Sequence, residues 1–250
     1  MFGILENKID VVYKLGSGSK SDDKELRYSL RSLSNFKDLG KVFVVGFKPR
    51  WLQNVIHIPA EDLHPANKDC NLINKLILAC HHPELSSLFL NMSDDQVFLN
   101  NLSETDFLKP YYDNNLLVSP TDKVSRWRRR LHNTIGALKE KNRLIDCYEC
   151  HIPTLLSKTG FVKIMSEFNY SDIPGLCGNT LYFNSLSDKV GVELNKNVAI
   201  KIEEAQTTVE SIEKMCDGKT HLNYSEAATN SQLFDFLQKK FLIQSKYEIF

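Results

Sequence analysis

The chain has 250 residues, of which 42% are hydrophobic and 25% charged, and its formal net charge at pH 7 is zero. This is an ordinary globular composition, and a neutral chain has no overall field that would draw it to nucleic acid or anionic membrane. No apolar stretch approaches the ~20 residues that a membrane-spanning helix needs. Polar groups within residues 1–10 argue against a secretory signal, so we expect a cytoplasmic protein with reduced cysteines.

The first hundred residues alternate between apolar strand patterns and helical patterns. Asp22 or Asp23 is a candidate cap for a helix that follows the first strand. The predicted elements, in chain order, are strands at 9–13, 42–45, 55–58 and 88–92, and helices after residue 23 and at 71–80. The alternation predicts an α/β fold with a doubly wound, mostly parallel sheet flanked by helices.

The second half of the chain is less regular and more helical. The predicted elements are helices at 125–141, 158–168, 204–216 and 230–241, and a strand-like run at 190–202. We expect residues 1–120 to form the ligand-binding α/β core. Residues 121–250 should form a helical and strand extension on the same cleft, with both parts in a single domain.

Two adjacent acids, Asp94 and Asp95, follow the apolar run at 88–92. They should emerge at the carboxyl end of a buried strand, which is where open α/β sheets bind ligands. Paired carboxylates are hard oxygen ligands, suited to Mg²⁺ or Mn²⁺ that carries a phosphorylated substrate. A turn with two solvated acids is the alternative interpretation of the pair taken alone.

The loop after the first strand contains Gly16, Ser17, Gly18 and Ser19. Glycines allow the backbone to approach a base or phosphate, and serine hydroxyls can bond to it. The loop matches neither G-x-G-x-x-G nor the Walker pattern, so a plain connecting loop is the alternative. Lys75 could approach a diphosphate from the preceding helix, or it could be an ordinary surface lysine.

Arg27 and Arg31 are four residues apart and should share one helix face. Two such arginines could clamp phosphate oxygens. A solvated basic face is the alternative.

Several segments of the chain resemble the Stealth family of capsular-polysaccharide phosphotransferases and relatives of the lysosomal-enzyme GlcNAc-1-phosphotransferase. The most similar segments are residues 10–13 (DVVY), 25–32 (ELRYSLRS) and 89–98 (FLNMSDDQVF). Residues 150–153 (CHIP), the segment ending at 167–168 and parts of the tail at 222–248 are also similar. The matches are scattered over nearly the whole chain, and ELRYSLRS is the most specific of them.

The resemblance implies a GT-A-like glycosyltransferase core that uses a nucleoside-diphosphate sugar, with a UDP-sugar as the expected donor. Asp94 and Asp95 would then occupy the metal site. Where the family reads roughly Y-x-W-V-D-G-S, this chain has Ser17 at the acidic position. This departure favours transfer of the sugar alone to a glycan or another hydroxyl, and Stealth-type sugar-1-phosphate transfer stays open as an alternative.

His151 matches the family's His-Pro segment, and its ordinary pKa suits proton transfer or contact with a phosphate. Residues 147–151 also spell the CxxCH haem-attachment motif, which we set aside because that chemistry needs export. Zinc would need ligands that no second CxxC supplies. In the preferred hypothesis the loop holds the nucleotide, Asp95 and Asp94 hold the ion, Arg27 or Arg31 adds positive charge, and His151 contacts the acceptor or phosphate.

The densest basic segment contains Arg126, Arg128, Arg129 and Arg130. It could bind acceptor phosphates, a polyanionic glycan or DNA. A phage-type enzyme that glycosylates hydroxymethylated DNA bases is therefore a further alternative, and a cationic helix face is the simpler interpretation. A non-catalytic transferase-fold binding module is the last alternative, supported by the change at Ser17.

Overall fold

The computed structural model describes residues 8–117 and 125–249. Within these ranges the strands are β1 (Ile9–Leu15), β2 (Leu39–Gly46), β3 (Ile56–Ile58), β4 (Leu88–Met92), β5 (Gln96–Phe98), β6 (Tyr111–Tyr112), β7 (Thr154–Ser157), β8 (Val192–Glu193), β9 (Ala199–Ile202) and β10 (His221–Tyr224). The helices are α1 (Lys24–Ser32), α2 (Lys68–His81), α3 (Arg126–Glu140), α4 (Lys158–Met165), α5 (Gly178–Asn184), α6 (Val209–Cys216) and α7 (Ser231–Lys240).

The main sheet has the strand order β3-β2-β1-β4-β7. The first four strands are parallel, and β7 pairs antiparallel with β4 at the edge. The chain moves outward from β1 to β3 and then returns to place β4 on the other side of β1. The carboxyl ends of β1 and β4 therefore flank the point where the strand order reverses, which is where such sheets bind ligands. The expected α/β class with a mostly parallel sheet is confirmed.

Alternate residues of the central strands supply two hydrophobic cores, because side chains along a strand point to opposite faces. On one face Val12 and Phe89 pack with Leu76 of α2 and Phe161 of α4. On the other face Tyr13, Val44 and Leu90 pack with the leucines of α1, Leu26 and Leu30. Both faces of the sheet are covered, which explains why the strands read as nearly continuous apolar runs.

A second sheet has the order β5-β10-β9, with β10 antiparallel to β5 and parallel to β9. Strand β5 begins directly after Asp95, so the small sheet starts where the main sheet ends. Pairing with β5 brings the end of β10 beside the two acids. The sequence did not predict β5, β7, β10 or α5, and the expected strand at 190–202 is two separate strands, β8 and β9.

Helix α1 begins after Asp23, as expected, but the Asp23 side chain makes no capping hydrogen bond. Asp22 and Asp23 both have positive φ values, of 57° and 54°, and the hydroxyl of Ser19 accepts a hydrogen bond from the backbone N–H of Asp23. The predicted helices at 125–141, 158–168, 204–216 and 230–241 correspond to α3, α4, α6 and α7, with shorter bounds.

All six cysteines are free, and five of them are buried, which agrees with the sequence prediction. No described helix is long and apolar enough to cross a membrane. The expected division at residues 120 and 121 lies outside the described residues and stays a prediction.

Candidate functional site

A cleft opens at the carboxyl edge of β1 and β4. Its described lining comes from the ends of β1 and β4, the loop after β1, the first turns of α2 and the segment after β10. The lining residues are Lys14, Gly16, Gly18, Ser19, Lys20, Glu25, Asp62, Lys68, Leu72, Lys75, Ser93, Asp94, Asp95, Tyr224, Ser225, Glu226 and Thr229. The cleft therefore combines residues from both ends of the chain.

Asp94 and Asp95 lie at the carboxyl end of β4, as the sequence predicts, and both are partly buried. Burial raises the pKa of Asp94, and the neighbouring charge of Glu25 raises it further. Burial and the charge of Asp94 raise the pKa of Asp95 to about 6, against the effect of a hydrogen bond from Asn223. The charges of Lys14 and Lys68 offset part of this effect on Asp94, and the carboxylates present a negative edge to which a cation can bind.

The hydroxyl of Tyr224 lies in a buried position on the lining of the cleft and has no hydrogen-bond partner among the described residues. Leaving a buried polar group unpaired costs roughly 1–3 kcal/mol. Asp94, Asp95 and Glu25 all lie near enough for their charges to raise the pKa of this phenol, in addition to the larger effect of burial. Tyr224 therefore brings a buried phenol to the acidic end of the cleft.

Lys14 and Lys68 bring positive charge to the same cleft. The ammonium of Lys14 donates to Oδ1 of Asn91 and, over 3.1 Å, to the carbonyl oxygen of Met92. Burial lowers the pKa of Lys14 to about 8, while the charges of Asp94 and Asp95 oppose the shift. Sequence reasoning did not place Lys14 in the site. The signal was available, because Lys14 is the one cation in the apolar strand β1.

Lys75 lines the cleft, but its ammonium is already engaged. It donates to the carbonyl oxygen of Leu15 over 2.7 Å and pairs with Asp62 over 2.6 Å. Its direct role is to hold the start of the loop after β1. Gly16, Gly18 and Ser19 of that loop line the cleft, whereas Ser17 is exposed outside the lining.

Among the described residues, no group of three or more His, Cys, Asp or Glu side chains is arranged to hold a metal ion. Asp94 and Asp95 supply two carboxylates. Mg²⁺ sites commonly take one or two carboxylates from the protein and complete the shell with substrate phosphates and water. The residues present therefore fit an ion that arrives with a phosphorylated ligand, and they do not fit a resident metal with a full protein shell.

The structure does not support the predicted phosphate clamp of Arg27 and Arg31, because both guanidinium groups have other partners. Arg31 is buried and donates from Nε and a terminal nitrogen to the two oxygens of Glu248, over 2.8 Å each. Arg27 reaches the same carboxylate over 3.4 Å and stacks on the ring of Trp51. Neither guanidinium lines the cleft. The spacing of four residues correctly predicted that the two arginines share a helix face. It could not predict that both would bond to the carboxylate of Glu248.

His151 lies outside the described lining of the cleft, so the structure does not support the role predicted for it. It has a positive φ of 54°, and the residue is exposed.

The basic segment of α3 is largely engaged with the protein itself. Arg126 donates to the carbonyl oxygen of Ala66, and Arg128 donates to that of Leu116 over 2.9 Å. Arg130 pairs with Asp69 at the start of α2. Arg129 is exposed. This arrangement favours the simpler interpretation of a cationic helix face and gives a DNA acceptor no support.

No protein-family model matches the sequence, and no curated protein matches it. The solved structures similar to it include the glycosyltransferase GlyE of Streptococcus pneumoniae TIGR4, with 11% identity over 95% of this chain and 61% of that chain, and a TM-score of 0.49. A glycosyltransferase involved in the glycosylation of the major capsid of PBCV-1 has 6% identity over 94% of this chain and 100% of its own, and a TM-score of 0.45. An active-site mutant of LgtC has 8% identity over 95% and 98%, and a TM-score of 0.48.

This chain therefore spans 61% of the length of GlyE. At such identities and TM-scores the likeness concerns the fold alone. The resemblance to the Stealth family stays a prediction.

Proposed function

We propose that the protein is a metal-dependent glycosyltransferase that uses a nucleoside-diphosphate sugar as donor and a hydroxyl group as acceptor. The observation that carries the proposal is the pair Asp94 and Asp95 at the carboxyl end of β4, beside the loop that leaves β1. Both carboxyl groups have a raised pKa, because burial disfavours the charged form of each, and because the charge of Glu25 acts on Asp94 and that of Asp94 acts on Asp95. A divalent cation that enters with a diphosphate would relieve this repulsion.

The other lining residues suit the remaining parts of such a donor. Gly16 and Gly18 leave the backbone of the loop open to a nucleotide, and Lys68 offers a positive charge to its phosphates. Tyr224 adds a phenol ring to the lining beside the two acids. A bound Mg²⁺ or Mn²⁺ supplies Lewis-acid neutralisation of the diphosphate leaving group. Asp95 and Asp94 would hold that ion, and Lys14 would offer positive charge to the diphosphate.

The test is to incubate the protein with Mn²⁺ and a panel of nucleotide sugars, and to identify the released nucleotide by chromatography. Water should replace the acceptor slowly in this assay. Release of a nucleoside diphosphate would support glycosyl transfer. Release of a monophosphate would mean that the sugar leaves with its phosphate, as in the Stealth reaction. No release and no nucleotide binding would contradict the proposal and favour a non-catalytic binding module.

A pair of variants separates the two acids from general effects of charge. We expect Asp95→Ala to lower the rate of donor hydrolysis by about 10²–10³-fold, as for other lost electrostatic stabilisers of a transition state. Glu204→Ala removes an exposed carboxylate outside the cleft and should leave the rate unchanged. Full activity of Asp95→Ala would remove Asp95 from the mechanism.

A further inference from the structure

A row of polar side chains crosses one face of the main sheet at its carboxyl edge. Asn91 of β4 stands opposite Val12 of β1 and opposite Thr154 of β7 in the strand register. Lys14 is two residues beyond Val12, so it points to the same face of the sheet as Asn91 and Thr154. Below the row that face is apolar, with Val12 and Phe89 in the core. The change from apolar to polar occurs where β1 and β4 reach the cleft. Lys14 belongs to the cleft lining given above, and the rest of the row continues beyond that lining towards β7.

Hydrogen bonds join the row to the first turn of α5. Lys14 donates to Oδ1 of Asn91, and Nδ2 of Asn91 donates to Oδ1 of Asn179 over 3.2 Å. The hydroxyl of Thr154 lies 3.4 Å from the same oxygen of Asn179. Asn179 is half-buried, and the contacts described for it use only its oxygen. The two hydrogens of its amide nitrogen are therefore available to a ligand.

Glu149 lies next to this row and supplies a hydrogen-bond acceptor. Its Oε1 accepts from the backbone N–H and the hydroxyl of Thr180, over 3.1 Å each, and Thr180 directly follows Asn179. The carboxylate is close enough to Lys14 for its charge to raise the pKa of that ammonium. The residue is half-buried, and its other oxygen makes no hydrogen bond within the described part of the chain.

The order of the strands divides the cleft into two sides. Gly16, Asp62 and Lys75 lie on the side of β2, since Lys75 also approaches Gly46 at the end of that strand. The polar row runs in the opposite direction, from β1 through β4 to β7. The acids after β4 lie between the two sides. A diphosphate held at these acids would direct the groups at its two ends to opposite sides.

We propose that the polar row, formed by Lys14, Asn91, Asn179 and Glu149, binds the sugar of the donor. The inference rests on the proposed function and adds the class of sugar. Sugar hydroxyls both donate and accept hydrogen bonds, and the row offers donors at Lys14 and Asn179 and an acceptor at Glu149. The row therefore suits a neutral, hydroxyl-rich hexose.

The experiment compares binding of a nucleotide with and without its sugar, by calorimetry in the presence of Mn²⁺. The probes are UDP, UDP-glucose and UDP-galactose, together with GDP and GDP-mannose. We expect at least one neutral hexose conjugate to bind about tenfold more tightly than its parent nucleotide, a ratio set by contacts of the sugar alone.

Asn179→Ala and Glu149→Gln should each lower this ratio to below about threefold while the affinity for the parent nucleotide is unchanged. Glu149→Gln keeps the shape of the side chain and the oxygen that accepts from Thr180, so it tests the inference even if Asn179→Ala fails to fold. Asn133→Ala, an exposed asparagine on α3, is the matched control and should keep the full ratio.

Two results would overturn the inference and leave the proposed function intact. One is a wild-type protein that binds UDP or GDP with Mn²⁺ but gains no affinity from any attached hexose. The other is an unchanged ratio in folded Asn179→Ala and Glu149→Gln. If neither UDP nor GDP, nor any conjugate of them, binds with Mn²⁺, the row has no donor sugar to hold. That result would overturn the inference together with the proposed function.

Discussion

Arg31 and Glu248 form a buried ion pair that joins α1 to the C-terminal segment. The guanidinium makes two parallel hydrogen bonds of 2.8 Å to the two carboxylate oxygens, and the side chain of Glu248 is completely buried. Ser245 donates to the same carboxylate from its backbone N–H and its hydroxyl. Burial is the largest single influence on the pKa of Glu248 and would raise it. The hydrogen bonds from Arg31 and Ser245, together with the charge of Arg31, outweigh burial, so the pKa is lowered. The pair thus stabilises the fold at a distance from the cleft.

Glu248→Gln should lower the free energy of unfolding by about 3–5 kcal/mol, because it leaves the charge of Arg31 buried without a counter-charge. Urea unfolding at pH 7 measures the loss. Glu213→Gln removes the partner of the exposed Lys239 and should cost less than about 1 kcal/mol. Nucleotide binding by folded Glu248→Gln should equal that of the wild type. Equal stability of the two variants would contradict the structural role of the pair.

Gly46 ends β2 with a positive φ of 106°, beside the start of the loop that lines the cleft. A Cβ there would lie 2.2 Å from the carbonyl oxygen of Leu15 and 2.9 Å from the side chain of Lys75. Gly46→Ala should therefore lower the free energy of unfolding by more than about 1 kcal/mol, through a strained backbone and a steric clash. Thermal or urea unfolding measures the change.

Gly18→Ala is the matched control in the same region. A Cβ at Gly18 would meet no atom within 4 Å, and Gly18 is not among the glycines with a positive φ. Its unfolding free energy should stay within about 0.5 kcal/mol of the wild type, as for most surface substitutions. If Gly46→Ala is as stable as Gly18→Ala, the close approach of β2 to Lys75 is not needed for the fold.

His221 is buried beside the rings of Phe98 and Phe107, and its Nδ1 bonds to the hydroxyl of Thr220 over 2.8 Å. Burial lowers its pKa from 6.5 to about 4, with the charge of Asp106 opposing. The folded protein binds the proton of His221 more weakly than the unfolded chain does. The stability that the neutral ring contributes is therefore complete above pH 6.5. That contribution is lost as the pH falls towards 4 and amounts to about 3 kcal/mol.

The check is urea unfolding at several values between pH 7 and pH 4, for the wild type and for His221→Phe, which has no group that titrates at this position. The other titratable groups are present in both proteins, so the difference between the two curves isolates His221. The stability of the wild type relative to the variant should fall by about 3 kcal/mol across this range. Parallel curves would show that the pKa of His221 is the same in the folded and the unfolded protein.

The sequence predicted the parallel core well because its strands are buried on both faces. Leu88–Met92 has the predicted bounds, and the acids after it lie at the expected edge. The strand β10 was not predicted, because four residues with two polar side chains have no clear period of their own. Pairing with β5 and β9 stabilises that strand, and such long-range pairing leaves little trace in the local sequence.

The candidate site was predicted in part, for a similar reason. Glycines, serines and paired acids at the ends of strands are local signals. Long-range contacts give no such local signal. Examples are the contact of Arg31 with Glu248, 217 residues away, and that of Asn91 with Asn179, 88 residues away. The sequence analysis did not include Lys14 because the apolar residues around it predict a buried strand. A lone cation in such a strand nevertheless needs a polar partner. Tyr224 could not be recognised before β10 was known to end in the cleft.

The central claim is that Asp94 and Asp95 bind a divalent ion together with a nucleoside diphosphate. The most direct measurement is titration of the protein with Mn²⁺, with UDP or GDP present, following the free ion by electron paramagnetic resonance. The wild type should bind one ion per chain when the nucleotide is present, whereas the double variant Asp94→Asn, Asp95→Asn should bind none at the same concentrations. Binding of Mn²⁺ and nucleotide by the double variant with wild-type affinity would contradict the account.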